Sequence, residues 1–253
     1  MVFDNIIAFF LNNWDRFYHF PDSSELKIRK KLEISKNSST LKIILPPRGD
    51  GDTSVTRILM KRFVKEGYSC LAYFFPKHLL LTNAKKTVEI YDFVQDYTRK
   101  DIAEIKKKYH FKRIDIVAPS LGIVSACLMA NDNPDISSLY AIAPGSCLAT
   151  SLWSSNRMEK LRRIYESQGI DLEKLQKLWG HLAPKNNIDD LNNKKIFVAL
   201  SKSDKVVPYS HGKEFAELLK KQYGANVMIQ KNFCLGHYLT VVKYFLFSRE
   251  LMK

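Results

Sequence analysis

Apolar and polar positions along this chain alternate between two rhythms, and the alternation repeats. Residues 41–45 form a short apolar run closed by Pro46 and Pro47, after which residues 54–65 place Val55, Ile58, Leu59 and Phe63 on one helical face. A strand followed by a helix is the predicted pair. The pattern returns as strand 68–75, helix 84–109, strand 113–117, helix 121–130, strands 138–142 and 195–200, helix 210–223, strand 226–230 and a closing helix from about His237. Buried strands separated by amphipathic helices predict an α/β fold, with a mostly parallel central sheet flanked by helices on both faces. Residues 26–34 alternate only partly, as a solvated edge strand would. Residues 3–18 bring Phe3, Ile6, Ile7, Phe10 and Trp14 to one side of an amphipathic helix, expected to pack on the domain edge.

One interval breaks the rhythm. Between the strand ending near Ile142 and the one starting at Lys195 lie about fifty residues with helical patterns at 157–167 and 172–179. An insertion of that length beside a presumed site is a candidate helical lid, assigned to 146–190. The remainder of the 253 residues is within reach of one hydrophobic core, so residues 1–253 are expected to form a single domain carrying that insertion.

Composition narrows the partners. A 45% hydrophobic content without a Pro/Gly/Ser-rich tract excludes a disordered chain. Forty basic against 26 acidic residues give a net charge of +14, but the basic residues are spread out, with their densest groups at 27–31, 106–108 and 220–221. These fall at predicted helix or strand ends, no nucleic-acid motif accompanies them, and no nucleic-acid partner is expected. A weak association with anionic membrane through the N-terminal helix stays open as an alternative. Cys70, Cys127, Cys147 and Cys234 are far apart in sequence and form neither a CxxC pair nor a metal-ligand spacing. Reduced thiols in a cytoplasmic protein, with no metal or cofactor, are the expectation. Asp4 and the lack of a basic leader argue against reading residues 6–11 as part of a signal peptide, and no run approaches the roughly 20 apolar residues of a membrane span.

The candidate chemistry sits where Val117-Ala118-Pro119-Ser120-Leu121-Gly122 joins a buried strand directly to an apolar helix. A serine in such a tight turn presents its hydroxyl, and small residues two before and two after let strand and helix pass closely. Ala118 and Gly122 meet that need. Asp204 lies on the loop leaving the strand at 195–200, where a carboxylate faces the crevice beyond the strand ends. His237 follows the last strand.

Taken together, these residues resemble the α/β-hydrolase superfamily of serine esterases, lipases and thioesterases: a nucleophile turn with Ala118 in place of the first glycine, an acid loop Asp204-Lys205-Val206-Val207-Pro208, and Gly236-His237, in the chain order Ser, Asp, His. The resemblance implies Ser120 as nucleophile, His237 as base, Asp204 as the acid that orients it, and an oxyanion hole made by Leu121 N–H and a donor after the first buried strand. The family commonly has His-Gly there. This chain has Pro46-Pro47, which have no N–H, so Arg48 is the first residue able to donate; its guanidinium facing an anionic substrate group is the alternative role. Serine at 120 sets the chain apart from the aspartate-based dehalogenases and epoxide hydrolases and from the cysteine-based dienelactone hydrolases. The implied activity is cleavage of a small-molecule ester or thioester of modest acyl chain through an acyl-enzyme. A carboxylesterase, a thioesterase and a membrane-surface, lysophospholipase-like enzyme all stay open, as does a non-catalytic ligand-binding protein on the same fold. Leu148, Leu152, Trp153, Tyr165, Leu178 and Trp179 of the insertion are candidates to line an acyl pocket or to form plain core.

Overall fold

A computed structural model of the protein describes residues 20–48, 54–131 and 133–252. The helix expected over 3–18 falls outside the described residues. The strands are β1 (Arg29–Glu33), β2 (Thr40–Ile44), β3 (Ser69–Phe74), β4 (Arg113–Pro119), β5 (Ile136–Ile142), β6 (Lys195–Ser201) and β7 (Val227–Asn232). They form one sheet in the order β1-β3-β2-β4-β5-β6-β7, with β1 antiparallel to β3 and every other pairing parallel. The helices are α1 (Ser54–Lys65), α2 (Ala84–Tyr109), α3 (Gly122–Asn131), α4 (Leu148–Ser154), α5 (Glu159–Ser167), α6 (Leu172–Leu178), α7 (Tyr209–Tyr223) and α8 (Gly236–Phe247).

Strand residues alternate between two apolar layers, as the two-residue period of a pleated strand demands. Ile43, Leu71, Tyr73, Ile116, Leu139 and Val198 join the larger layer with α2, α3, α7 and the 146–190 segment. Ile44, Ala72, Phe74, Val117, Tyr140 and Phe197 join the smaller one with Leu59 and Phe63 of α1 and Tyr244 and Phe245 of α8. Helix ends follow local chemistry. The Asn83 side chain accepts from the Lys85 and Lys86 amides to start α2, and Lys106, Lys107 and Lys108 fill its last turn, where cations suit the negative end of the helix dipole. Lys220 and Lys221 do the same for α7, so two of the three basic clusters have a local structural use. Among the described residues no helix is long and apolar enough to cross a membrane.

Three details differ from the sequence pattern. Strand β4 continues past Val117 because Ala118 and Pro119 still pair with Ala141 and Ile142 of β5. Helix α4 was not expected. Helix α5 begins at Glu159 after a separate 3₁₀ turn at Asn156–Met158. Within the insertion, Leu148, Leu152, Tyr165 and Trp179 are buried in the larger layer. Tyr165 Oη donates to Leu81 O at 2.6 Å and Trp179 Nε1 to Ala84 O at 2.9 Å. The two fully buried aromatics of the insertion thus fasten the segment to the start of α2. They serve as core.

The smaller layer contains one charged pair. Lys42 of β2 and Asp115 of β4 are register partners, wholly buried, with Nζ 2.7 Å from Oδ2. The Lys42 ammonium also lies 4.7 Å from the ring centre of Tyr68 and 5.3 Å from that of Tyr140, and Arg113 Nε holds the other carboxylate oxygen at 2.8 Å. Burial pulls the Lys42 ammonium below its ordinary value, opposed by the attraction of Asp115. Asp115→Ala would leave that cation buried against aromatic rings alone and should lower stability by about 3–5 kcal/mol, whereas the double change Lys42→Met, Asp115→Leu should cost much less. Denaturant unfolding of the two variants checks this ordering.

Candidate active site

Strand order reverses at β2: β3 lies on one side of it and β4 on the other. In open α/β sheets the crevice beyond the strand ends at such a switch collects ligands. Here it is bounded by the turn after β2, which carries Pro46, Pro47 and Arg48, and by the turn after β4, which carries Ser120. The loop tops are tied by a run of bonds just past the strands: Leu45 N–H to Val117 O at 3.0 Å, Ser120 N–H to Ile142 O at 2.8 Å, Ala143 N–H to Ala199 O at 2.8 Å and Lys202 N–H to Asn232 O at 2.8 Å.

Ser120 has a φ of 50°, in the left-handed region that costs an L-residue about 1–2 kcal/mol. Its amide bond to Ile142 and its own carbonyl, which accepts from Ile123 N–H at 3.1 Å, hold it there. The conformation follows from the lack of room between strand and helix. A Cβ at Gly122 would lie 2.9 Å from Pro46 O and 3.3 Å from Leu45 Cβ, and Ala118 is fully buried. The small residues flanking the serine therefore answer a measured close approach.

The structure brings the three sequence candidates into one chain of hydrogen bonds. Ser120 Oγ is 2.8 Å from His237 Nε2, and His237 Nδ1 is 2.7 Å from Asp204 Oδ2. All three are at least nine-tenths buried. Asp204 Oδ1 accepts the amides of Val206 at 2.9 Å and Val207 at 3.0 Å. Those two bonds fix the carboxylate so that Oδ2 faces the imidazole. A carboxylate only accepts, so Nδ1 carries the ring proton and Nε2 presents its lone pair to the serine hydroxyl.

A fourth residue, which the sequence reading missed, links Asp204 to His237. Ser203 Oγ accepts Gly236 N–H at 2.9 Å and lies 3.2 Å from Ser201 Oγ, so the loop carrying Asp204 and the start of the helix carrying His237 are joined by a side chain from the residue before Asp204. The available signal was only a serine beside the aspartate, too common to single out. On the other side, the Tyr238 ring packs edge-on against His237 at 5.2 Å, and the Arg157 guanidinium lies 5.8 Å from the Tyr238 ring centre, bringing the 146–190 segment to the base.

The two expected oxyanion donors stand differently. Leu121 N–H donates to Pro47 O at 3.2 Å, so in this structure the turn after β2 supplies that amide with an acceptor of its own. Arg48 follows directly in the same turn. Among the described residues no cluster of three or more His, Cys, Asp or Glu could hold a metal ion, and the four cysteines are free, Cys234 alone being exposed.

No protein-family model matches the sequence, and no curated protein matches it significantly. Solved structures do. An esterase of Pyrococcus furiosus superposes with a TM-score of 0.63 at 19% identity, over 95% of this chain and 90% of that one. An acetyl xylan esterase of Thermoanaerobacterium does so with a TM-score of 0.63 at 13% identity, over 94% of each chain. A protein of Agrobacterium tumefaciens described in terms of the α/β hydrolases follows with a TM-score of 0.55 at 14% identity, over 88% of this chain and 91% of that one. The chain has the α/β-hydrolase fold. At the serine turn, Gly122→Ala should destabilise the protein by about 1–3 kcal/mol, because Pro46 O and Leu45 must both give way. A shift in the denaturant midpoint measures it.

Proposed function

We propose that the protein is a serine hydrolase that cleaves a carboxylic ester or thioester through an acyl-enzyme on Ser120. The observation that carries this reading is the continuous Asp204–His237–Ser120 hydrogen-bond chain ending on a serine held at positive φ. A serine in a strained turn at the end of an acid–base pair has the arrangement of an activated nucleophile.

In the proposed reaction Ser120 Oγ attacks the acyl carbon while its proton passes to His237 Nε2, and Asp204 stabilises the imidazolium. The tetrahedral intermediate collapses as His237 returns the proton to the departing alkoxide or thiolate. Water then enters, His237 takes its proton, and the acyl group leaves as the carboxylic acid with Ser120 restored. Negative charge on the acyl oxygen in both steps calls for two fixed donors, assigned to the amides of Leu121 and Arg48. Two of the structural neighbours are esterases, which supports an ester substrate, and an acylaminoacyl peptidase of Pyrococcus horikoshii is another neighbour.

A fluorophosphonate probe should label the wild-type protein and leave Ser120→Ala unlabelled; equal labelling of both, or of neither, refutes the reading. Asp204→Asn should keep the fold yet lower kcat/KM on the order of 10⁴-fold, because the amide favours the wrong imidazole tautomer. Rates across p-nitrophenyl esters of increasing acyl length and the matching acyl-CoAs check that figure, size the pocket and separate ester from thioester preference.

A further inference from the structure

The atom that occupies Leu121 N–H is the carbonyl oxygen of Pro47, 3.2 Å away, and the same peptide unit carries the N–H of Arg48. In a trans peptide these two groups point in opposite directions. A half-turn of that one unit about the line between its two Cα atoms would withdraw the carbonyl from Leu121 and aim the Arg48 N–H at the space the carbonyl had filled. Proline suits the pivot. Its ring fixes φ but leaves ψ two wells, helical and extended, about half a turn apart. The chain before the pivot is held: Leu45 N–H bonds Val117 O at 3.0 Å, and Pro46 O lies where a Cβ on Gly122 would come within 2.9 Å. Rotation is therefore confined to the 47–48 unit, and the compensating change falls on φ of Arg48. Among the described residues positive φ outside glycine occurs at His110, Ser120, Ala143 and Asn193, so Arg48 now holds an ordinary φ and takes the unfavourable one only after the turn.

We propose that the Pro47–Arg48 peptide is a two-position element of the oxyanion hole. In the resting position its carbonyl caps Leu121 N–H and closes the hole. In the working position the Arg48 N–H replaces it, and the substrate's acyl oxygen takes the carbonyl's place between two donors. Capping explains the resting preference, because an amide at this half-buried turn keeps an acceptor until substrate supplies one. The proposal rests on the serine-hydrolase reading, and the test separates the two.

The full-length protein and three variants are assayed by kcat/KM for p-nitrophenyl acetate. Arg48→Ala keeps the N–H, removes only the side chain, and is the reference for the other two. Arg48→Pro has no N–H and cannot take the positive φ, so it should fall 10²–10³-fold. Arg48→Gly removes the φ penalty of the working position and should rise on the order of tenfold above Arg48→Ala. A crystal structure of the wild-type protein after the fluorophosphonate has reacted with Ser120, with loss of fluoride, should show the phosphonyl oxygen between the amides of residues 48 and 121, with the Pro47 carbonyl turned away. Arg48→Pro matching Arg48→Ala, Arg48→Gly no faster than Arg48→Ala, or an adduct in which Pro47 O still accepts from Leu121 N–H would each overturn the proposal. Should Arg48→Pro fail to fold, the glycine variant and the adduct decide it. A wild-type protein inert to the probe overturns the serine-hydrolase reading instead.

Discussion

The close approach of the β4–α3 turn to the end of β2 is the constraint on which the site depends. Gly122 lies against Pro46 O with no room for a methyl group, and Ser120 is left at a φ of 50° by the abrupt reversal this contact imposes. From that position its hydroxyl reaches His237, and its amide ties the turn to Ile142 at the end of the neighbouring strand. The same packing brings the Pro47 carbonyl onto Leu121 N–H. The geometry of Ser120 and the capping of Leu121 N–H thus arise from one contact between two strand ends.

The parallel sheet supplies the rest by placing loop after loop along one edge. Asp204 follows β6 and His237 follows β7, and they meet because those strands are neighbours with a common direction. Ser203 then closes the small gap between them through Gly236. The opposite, smaller apolar layer has a separate task. There Lys42 and Asp115 neutralise each other between aromatic rings at the pairing of the two central strands β2 and β4, so the strands that present Pro47 and Ser120 are also joined by charge.

Much of this was legible in the chain because it depends on local rhythm. The spans of α1 and α2 could be read from apolar spacing, and Asn83 and the terminal lysines mark both ends of α2. The order Ser120, Asp204, His237 pointed to three loops on one edge, and the structure brings those residues within hydrogen-bonding distance. What could not be read depends on contacts between distant segments. Lys42 lies inside the run read as apolar, and nothing local marks Asp115 as its register partner. The aromatics of the insertion could line a pocket or, as is commoner at helical spacing, form core, and the bonds from Tyr165 to Leu81 and from Trp179 to Ala84 assign those two to packing. The two prolines after β2 pointed to an unusual oxyanion turn, but not that its carbonyl would face Leu121.

The central claim is that Ser120 carries the acyl group. Acid-quenching the protein within its first turnover of p-nitrophenyl acetate, then digesting it and weighing the peptides, tests this most directly. The account predicts one acetyl group per chain, located on Ser120. Acetyl on another residue such as the exposed Cys234, or continued turnover with no acyl-enzyme trapped at any quench time, would contradict it.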